Sequence, residues 1–278
     1  MVGRALYGAI PEPEQRLPGP ATEMTGSDDS GMTIQAFDIL GADRPGRWLV
    51  TCDHATNIVP DWIGGGSLGI AAADMERHIA LDVGASGLTR DLARRLDAPA
   101  ILSRFSRLVI DPNRGEDDPT LLMKLYDGTV IPANRHAGPE ETERRLDRLY
   151  RPYHAAYAAL AARRPDTAIC AIHSFTPQLA GRPPRPWHVA VLYSHRDDRL
   201  ARAMIDRLRA EPDLCVGDNQ PYLGHLEGDS IDRHALTPGR PNLLIELRND
   251  LIGTEAAQAH WAARLAPMLQ EVLGASGL

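Results

Sequence analysis

The amino-acid sequence predicts an α/β protein: a single-domain three-layer α/β/α sandwich in which helices cover both faces of a mixed, mostly parallel sheet. Three observations carry the prediction. Strand-like and helix-like periodicities alternate along the chain after its first thirty or so residues. Several strand-like runs, such as "TAICAIHSF" and "NLLIELRND", are apolar at nearly every position before their polar ends, as strands covered on both faces are. Those runs end in residues able to bind metal or move protons, and in open α/β sheets ligands gather beyond the carboxyl ends of the strands.

Taken in order, residues 1–31 hold Pro11, Pro13, Pro18 and Pro20 and then "TGSDDSG", without apolar periodicity, and read as a mobile N-terminal arm. The catalytic domain is expected over 32–278. "RWLVTCDHA" predicts a strand that ends at chemistry. "GIAAADMERHIALDVGASGLTRDLARRL" predicts helix on either side of an interruption at Asp82 to Gly84, and "PAILSR" and "RLVIDPN" predict two short strands. A long helix is expected over "GPEETERRLDRLYRPYHAAYAALAARR", with Leu146, Leu149, Tyr153, Ala156, Tyr157 and Leu160 on one face and a kink at Pro152. The strands "TAICAIHSF" and "WHVAVLYS", the helix "DDRLARAMIDRLRA", the strand "NLLIELRND" and a terminal helix over 254–273 complete the pattern.

Composition narrows the function. A net charge of −7 over 278 residues argues against a nucleic-acid partner that needs a basic face. No apolar run approaches the roughly 18 residues of a membrane-spanning helix, and the N-terminus lacks the apolar core of a signal peptide. Cys52, Cys170 and Cys215 form no CxxC pair and are odd in number, so a reducing cytoplasm is expected rather than a disulfide framework.

Four strand-like segments end in polar groups: Asp53, His54 and Asn57; Asp111, Asn113 and Arg114; His173 and Ser174; Glu246, Arg248 and Asp250. Each alone is an ordinary loop, cap or turn. If the strands are neighbours their ends converge, and two histidines, several carboxylates and two or more arginines meet at one sheet edge. A buried strand such as "AICAIH" ends in an imidazole only where that group has a partner, and a metal or carboxylate serves. Nucleophilic chemistry is weaker: there is no G-x-S-x-G elbow around Ser174 or elsewhere, and Cys52 reads as a buried, inert thiol. Gly64-Gly65-Gly66 lacks the Lys-Ser/Thr ending of a P-loop and reads as a loop over the site.

The set "CDHATN", "SRLVIDPNR", "AIHSF", "DNQPY" and "IELRNDLI" resembles the N-formylglutamate amidohydrolase family, in family order over about residues 48–272. That family is similar to the zinc carboxypeptidase and aspartoacylase group, which implies a phosphorylase/hydrolase-like sandwich and one divalent ion, zinc by its ligands. The resemblance implies His54 and His173 as metal ligands, Asn113 and Arg114 as the grip on a substrate carboxylate, Arg107 as support for the scissile carbonyl, and Glu246 as the carboxylate that activates water. The wider group's His-x-x-Glu pattern is broken here by Asn57. The third ligand is then Asp82, Asn57 or Asp53, with Asp82 ranked first because it resembles an Asp the family keeps in this region.

The expected activity is hydrolysis of the formamide of an N-formyl amino acid, N-formyl-L-glutamate by resemblance, to formate and the amino acid. Tyr222, Arg248 and Arg233 are candidates for a second contact to a dicarboxylate, Asp111 is expected to orient Arg114 or its turn, and His225 and His234 lie in a Gly-rich loop that could cover the pocket. The alternatives are a deacylase of other N-acyl amino acids with the same metal site, and a metal-free protein that binds an amino-acid carboxylate.

Overall fold

The apolar runs pair into a seven-stranded sheet in the computed structural model, which describes residues 35–179 and 181–278. The arm expected over residues 1–31 lies outside the described residues. In chain order the elements are β1 (Phe37–Leu40), β2 (Trp48–Cys52), α1 (Ala72–Met75), α2 (Ala85–Arg95), β3 (Ala100–Ser103), β4 (Leu125–Tyr126), β5 (Thr129–Val130), α3 (Pro132–Arg135) and α4 (Pro139–Arg145). Then follow α5 (Arg151–Ala162), β6 (Ala168–Phe175), β7 (Val189–Leu192), α6 (Arg199–Arg209), β8 (Val216–Asp218), β9 (Asn242–Arg248) and α7 (Glu255–Ala275).

The sheet order is β1-β3-β2-β6-β9-β7-β8, with β4 and β5 forming a separate hairpin. Strands β3, β2, β6 and β9 are mutually parallel. Antiparallel pairing joins β1 to β3 and β7 to β9, which makes the sheet mixed. β1, β8 and the hairpin are too short to stand out in the sequence.

Side chains alternate strictly between two cores, as the period of two requires. Val50, Cys52, Cys170, Ile172, Leu243, Ile245 and Leu247 pack against α2, α6 and α7. Leu49, Ile169, Ala171 and Leu244 point the other way, into a core built with Tyr150, Tyr153 and Tyr157 at and along α5. His173 and Glu246 follow the second set by parity, so both emerge on the α5 face at the carboxyl end of the sheet. Three layers result.

Three expectations are corrected. "RLVIDPN" forms turns, not a strand, because side chains take up the carbonyls a neighbouring strand would have taken. Asn134 Nδ2 donates to the Leu108 carbonyl (2.7 Å) and Arg145 Nη1 to the Val109 carbonyl (2.7 Å), so Leu108, Val109 and Ile110 are buried without a ladder. The long helix does not simply kink at Pro152: a π-helical turn, Leu146–Tyr150, joins α4 to α5 immediately before that proline, which contributes no backbone donor. The helix expected after residue 69 shortens to α1, and α2 starts after Gly84, whose φ of 81° suits glycine; an added Cβ there would collide with the Ile252 carbonyl.

Candidate active site

β2 stops at Cys52, and the chain then turns Asp53 and His54 inward, both at most 2% exposed. Asp82 arrives from the turn ahead of α2, where its N–H donates to the His54 carbonyl (2.9 Å). His173 comes from β6. The Nδ1 atoms of His54 and His173 lie 3.3 and 2.9 Å from the same oxygen, Asp82 Oδ2, and the rings meet edge to face at 4.9 Å.

Each imidazole has a carboxylate behind it. His54 Nε2 lies 2.8 Å from Asp111 Oδ1, and His173 Nε2 stands 3.6 Å from Asp53 Oδ2. Those two carboxylates are themselves held: Tyr153 donates to Asp53 Oδ1 (2.6 Å), and Arg107 donates through Nε and Nη2 to Asp111 Oδ2 (3.2 and 2.8 Å). Burial opposes the ionisation of Asp82 and Asp111, yet the imidazoles and, for Asp111, Arg107 outweigh it and hold both carboxyls well below their ordinary range. Burial would likewise depress His173, but Asp53 and Asp82 overcome it and push the ring up to about 10.

This donor set fits a divalent ion. His54, Asp82 and His173 are buried and their ligand atoms lie within 4.8 Å of one another. Two imidazoles and one carboxylate are a zinc-type set, and the paired carboxylates behind the rings are the usual means of fixing metal-bound histidines. His173 Nε2 and Asp53 Oδ2 face each other just beyond hydrogen-bond distance, and among the described residues neither has another partner.

The three residues open onto a cavity of about 310 Å³ that is also lined by His78, Arg107, Asn113, Arg114, Tyr126, Tyr222 and Glu246, with Leu192, Leu223, Leu226 and Leu244 as its apolar walls. Glu246 sits opposite His173 in the β6–β9 register. Among the described residues its Oε2 has no partner, and burial pushes the carboxyl up to about 8 against the pull of His173. Arg114 donates to Thr120 Oγ1 (3.0 Å) and the Asn113 carbonyl (2.7 Å), and among the described residues it meets no carboxylate. Asn113 is anchored through Oδ1, which accepts from the Ser230 N–H (3.2 Å).

Not every expected residue arrives. Asn57 donates to the Met75 carbonyl and to Glu76 (3.0 and 3.1 Å) and lies away from both imidazoles. Asp53 stands behind His173, and Asp82 faces the rings in their place. Arg248 turns to Asp250 (2.8 Å) and is not on the cavity wall, and Arg233 pairs with Tyr150 and Glu116. Arg107 reaches the wall with its guanidinium committed to Asp111 and, at 3.5 Å, to Asp82, so it holds the carboxylates beside the imidazoles as well as facing the cavity. Gly64, Gly65 and Gly66 form a turn away from the cavity. His234 is buried in a π-helical turn, stacked on Tyr157 at 4.0 Å and 2.8 Å from His154 Nδ1, rather than sitting in a loop. Sequence reasoning missed His78, whose Nδ1 is 3.3 Å from Asp82 Oδ1; its signal was the spacing of four in "HIALD". Tyr153, read there as a core residue, also holds Asp53.

The sequence profile of the family described as N-formylglutamate amidohydrolase matches residues 46–253. The crystal structure of a gene product from Agrobacterium tumefaciens is 32% identical with a TM-score of 0.82, over 87% of this chain and 96% of that one. That of N-formylglutamate amidohydrolase from Ralstonia eutropha is 21% identical with a TM-score of 0.63, over 87% of this chain and 98% of that one, a likeness of fold. No curated protein matches the chain. No helix among the described residues is long and apolar enough to cross a membrane. The profile match takes in every element that builds the cavity, and the chain therefore belongs to the N-formylglutamate amidohydrolase family, hydrolases of amide bonds.

Proposed function

We propose that the protein is a zinc-dependent hydrolase of N-formyl amino acids, with N-formyl-L-glutamate as the substrate its family points to. One observation carries the reading: a two-imidazole, one-carboxylate set, a buried carboxyl without a partner and an arginine without a carboxylate share one cavity.

His54, Asp82 and His173 would hold the ion, and Asp111 and Asp53 orient the two rings. The chemistry zinc supplies in such a set is Lewis-acid polarisation of an amide carbonyl and acidification of a water molecule. Arg114, with Asn113 beside it, receives the α-carboxylate through its free N–H edge, which fixes the amide in the cavity. Glu246, with its carboxyl raised to about 8, exchanges protons near neutral pH. It takes the proton from the attacking water and returns it to the leaving amine.

The metal-free binding protein rested on Asn57, and with Asp82 beside both imidazoles no observation favours it. The deciding experiment measures formate release from N-formyl-L-glutamate by chelator-stripped protein with and without added zinc. N-acetyl- and N-succinyl-L-glutamate are run in parallel, with acyl release followed. Zinc-dependent formate release and a preference for the formyl group are expected. Equal rates on all three favour the general deacylase, and no turnover on any of them sinks the enzyme reading.

A further inference from the structure

A substrate with an acidic side chain brings a second carboxylate into a cavity whose other lining includes Leu192, Leu223, Leu226 and Leu244 and a carboxylate, Asp229. A carboxylate without a donor there is strongly disfavoured. Arg114 faces the α-carboxylate, Arg107 is committed to Asp111 and Asp82, and Arg248 and Arg233 are occupied elsewhere.

Arg185 stands against the lining residue Tyr222, and no carboxylate pairs with it among the described residues. Its Cζ lies 5.1 Å from the ring centroid of Tyr222 and 5.7 Å from that of Phe175. Its Nη1 donates to the Thr176 carbonyl (3.0 Å), and its backbone N–H is anchored on the Pro177 carbonyl (2.8 Å). Between two aromatic rings a half-buried guanidinium is partly stripped of water, so its field carries further than at an open surface.

Tyr222 connects this charge to the cavity, because its side chain lines the wall while Arg185 stands behind it. Burial pushes the Tyr222 hydroxyl up to about 12 against the pull of Arg185, so it keeps its proton and donates. The loop that carries it is pinned: Asn219 Oδ1 accepts from the Tyr193 N–H (2.9 Å), and Gly224 lies against the Leu192–Tyr193 backbone so closely that a side chain would collide.

We propose that Tyr222, with Arg185 behind it as a positioning cation, forms a second carboxylate site that makes the enzyme selective for N-acyl amino acids with acidic side chains. The inference rests on the amidohydrolase reading above and adds what that reading leaves open, the origin of side-chain specificity. Tyr222 donates to the distal carboxylate, and Arg185 supplies the compensating charge.

The test compares N-formyl-L-glutamate with the near-isosteric, neutral N-formyl-L-glutamine in zinc-loaded wild type, Arg185→Met, Arg185→Lys and Tyr222→Phe. Wild type is expected to favour the glutamate substrate in kcat/KM by roughly 10- to 100-fold, the size of one or two hydrogen bonds to a charged group. In Arg185→Met that ratio falls toward one through a higher KM for the glutamate substrate, with kcat little changed. Arg185→Lys restores part of it, and Tyr222→Phe lowers it too. Parallel losses on both substrates, or a wild type that prefers glutamine or N-formyl-L-norleucine, overturn the proposal while leaving the hydrolase reading intact. Calorimetric binding of the same ligands to Glu246→Gln gives the ratio without turnover: equal affinities overturn the proposal, and tight, selective binding by a wild type that hydrolyses neither would sink only the enzyme reading.

Discussion

Glu246 is the residue whose surroundings say most about its work. It is buried, its Oε2 is unpartnered, and its carboxyl is raised to about 8. Replacing it with Gln keeps shape and burial and removes proton transfer, so turnover is expected to fall roughly 10²- to 10⁴-fold. Zinc content by elemental analysis should be unchanged; loss of both together would make Glu246 a ligand instead. Asp53→Asn tests the layer behind the rings. It leaves Tyr153 a partner and takes the charge from beside His173, and zinc affinity measured against a competing chelator should weaken by roughly 10- to 100-fold. At this scale much was legible in the sequence: His54, His173, Asn113, Arg114 and Glu246 are short polar endings on apolar or turn-forming stretches, and they line one cavity. Arg185 was not, because an arginine in "GRPPRPW" carries no periodicity and becomes meaningful only when Tyr222 and Phe175 close around it.

Among the elements, the segment from Arg104 to Leu122 departs furthest from its sequence. Its apolar run demanded burial, which periodicity detects, but the demand was met by side chains from distant helices, which periodicity cannot detect. Arg145, 1% exposed, donates to Glu141 one helical turn away and also to the Val109 carbonyl and Asn134 Oδ1, each at 2.7 Å. Asn134 in turn donates to the Leu108 and Met123 carbonyls (2.7 and 2.8 Å). Asn134→Ala should therefore destabilise the fold by about 1–3 kcal/mol through buried groups left unpaired. Urea unfolding reads this directly, and an unchanged midpoint would mean that water replaces the amide. The β strands were easier to read, because β2, β6 and β9 are covered on both faces and their composition says so.

For the molecule as a whole, pH sensitivity follows from the same buried charges. Asp82 and Asp111 have folded pKa values below their unfolded ones, so their contribution is complete above about pH 4 and is lost as pH falls further. His173 runs the opposite way: raised to about 10, it contributes fully below its unfolded value of about 6.5 and loses that contribution as pH rises toward 10. Glu246, raised to about 8, binds its proton more tightly when folded and adds a second loss of stability as pH climbs toward 8. Metal-stripped protein should show a falling urea midpoint from about pH 7 to about pH 10, with zinc removing most of the fall because it takes the place of the His173 proton. A flat profile would place that proton elsewhere.

The β6–β9 register joins these scales. His173 and Glu246 are paired residues on adjacent hydrogen-bonded strands, so their separation is set by the interstrand spacing of about 4.8 Å rather than by any loop. A register shift of one residue would send either side chain to the opposite core, among Ile172, Ile245 and Leu247. On the proposed reading, ligand and proton carrier are thus fixed together by one backbone register. Their distance can survive extensive drift in the cavity walls, which leaves the Leu223, Leu226 and Tyr222 side free to be recut for a different acyl amino acid without rebuilding the chemistry.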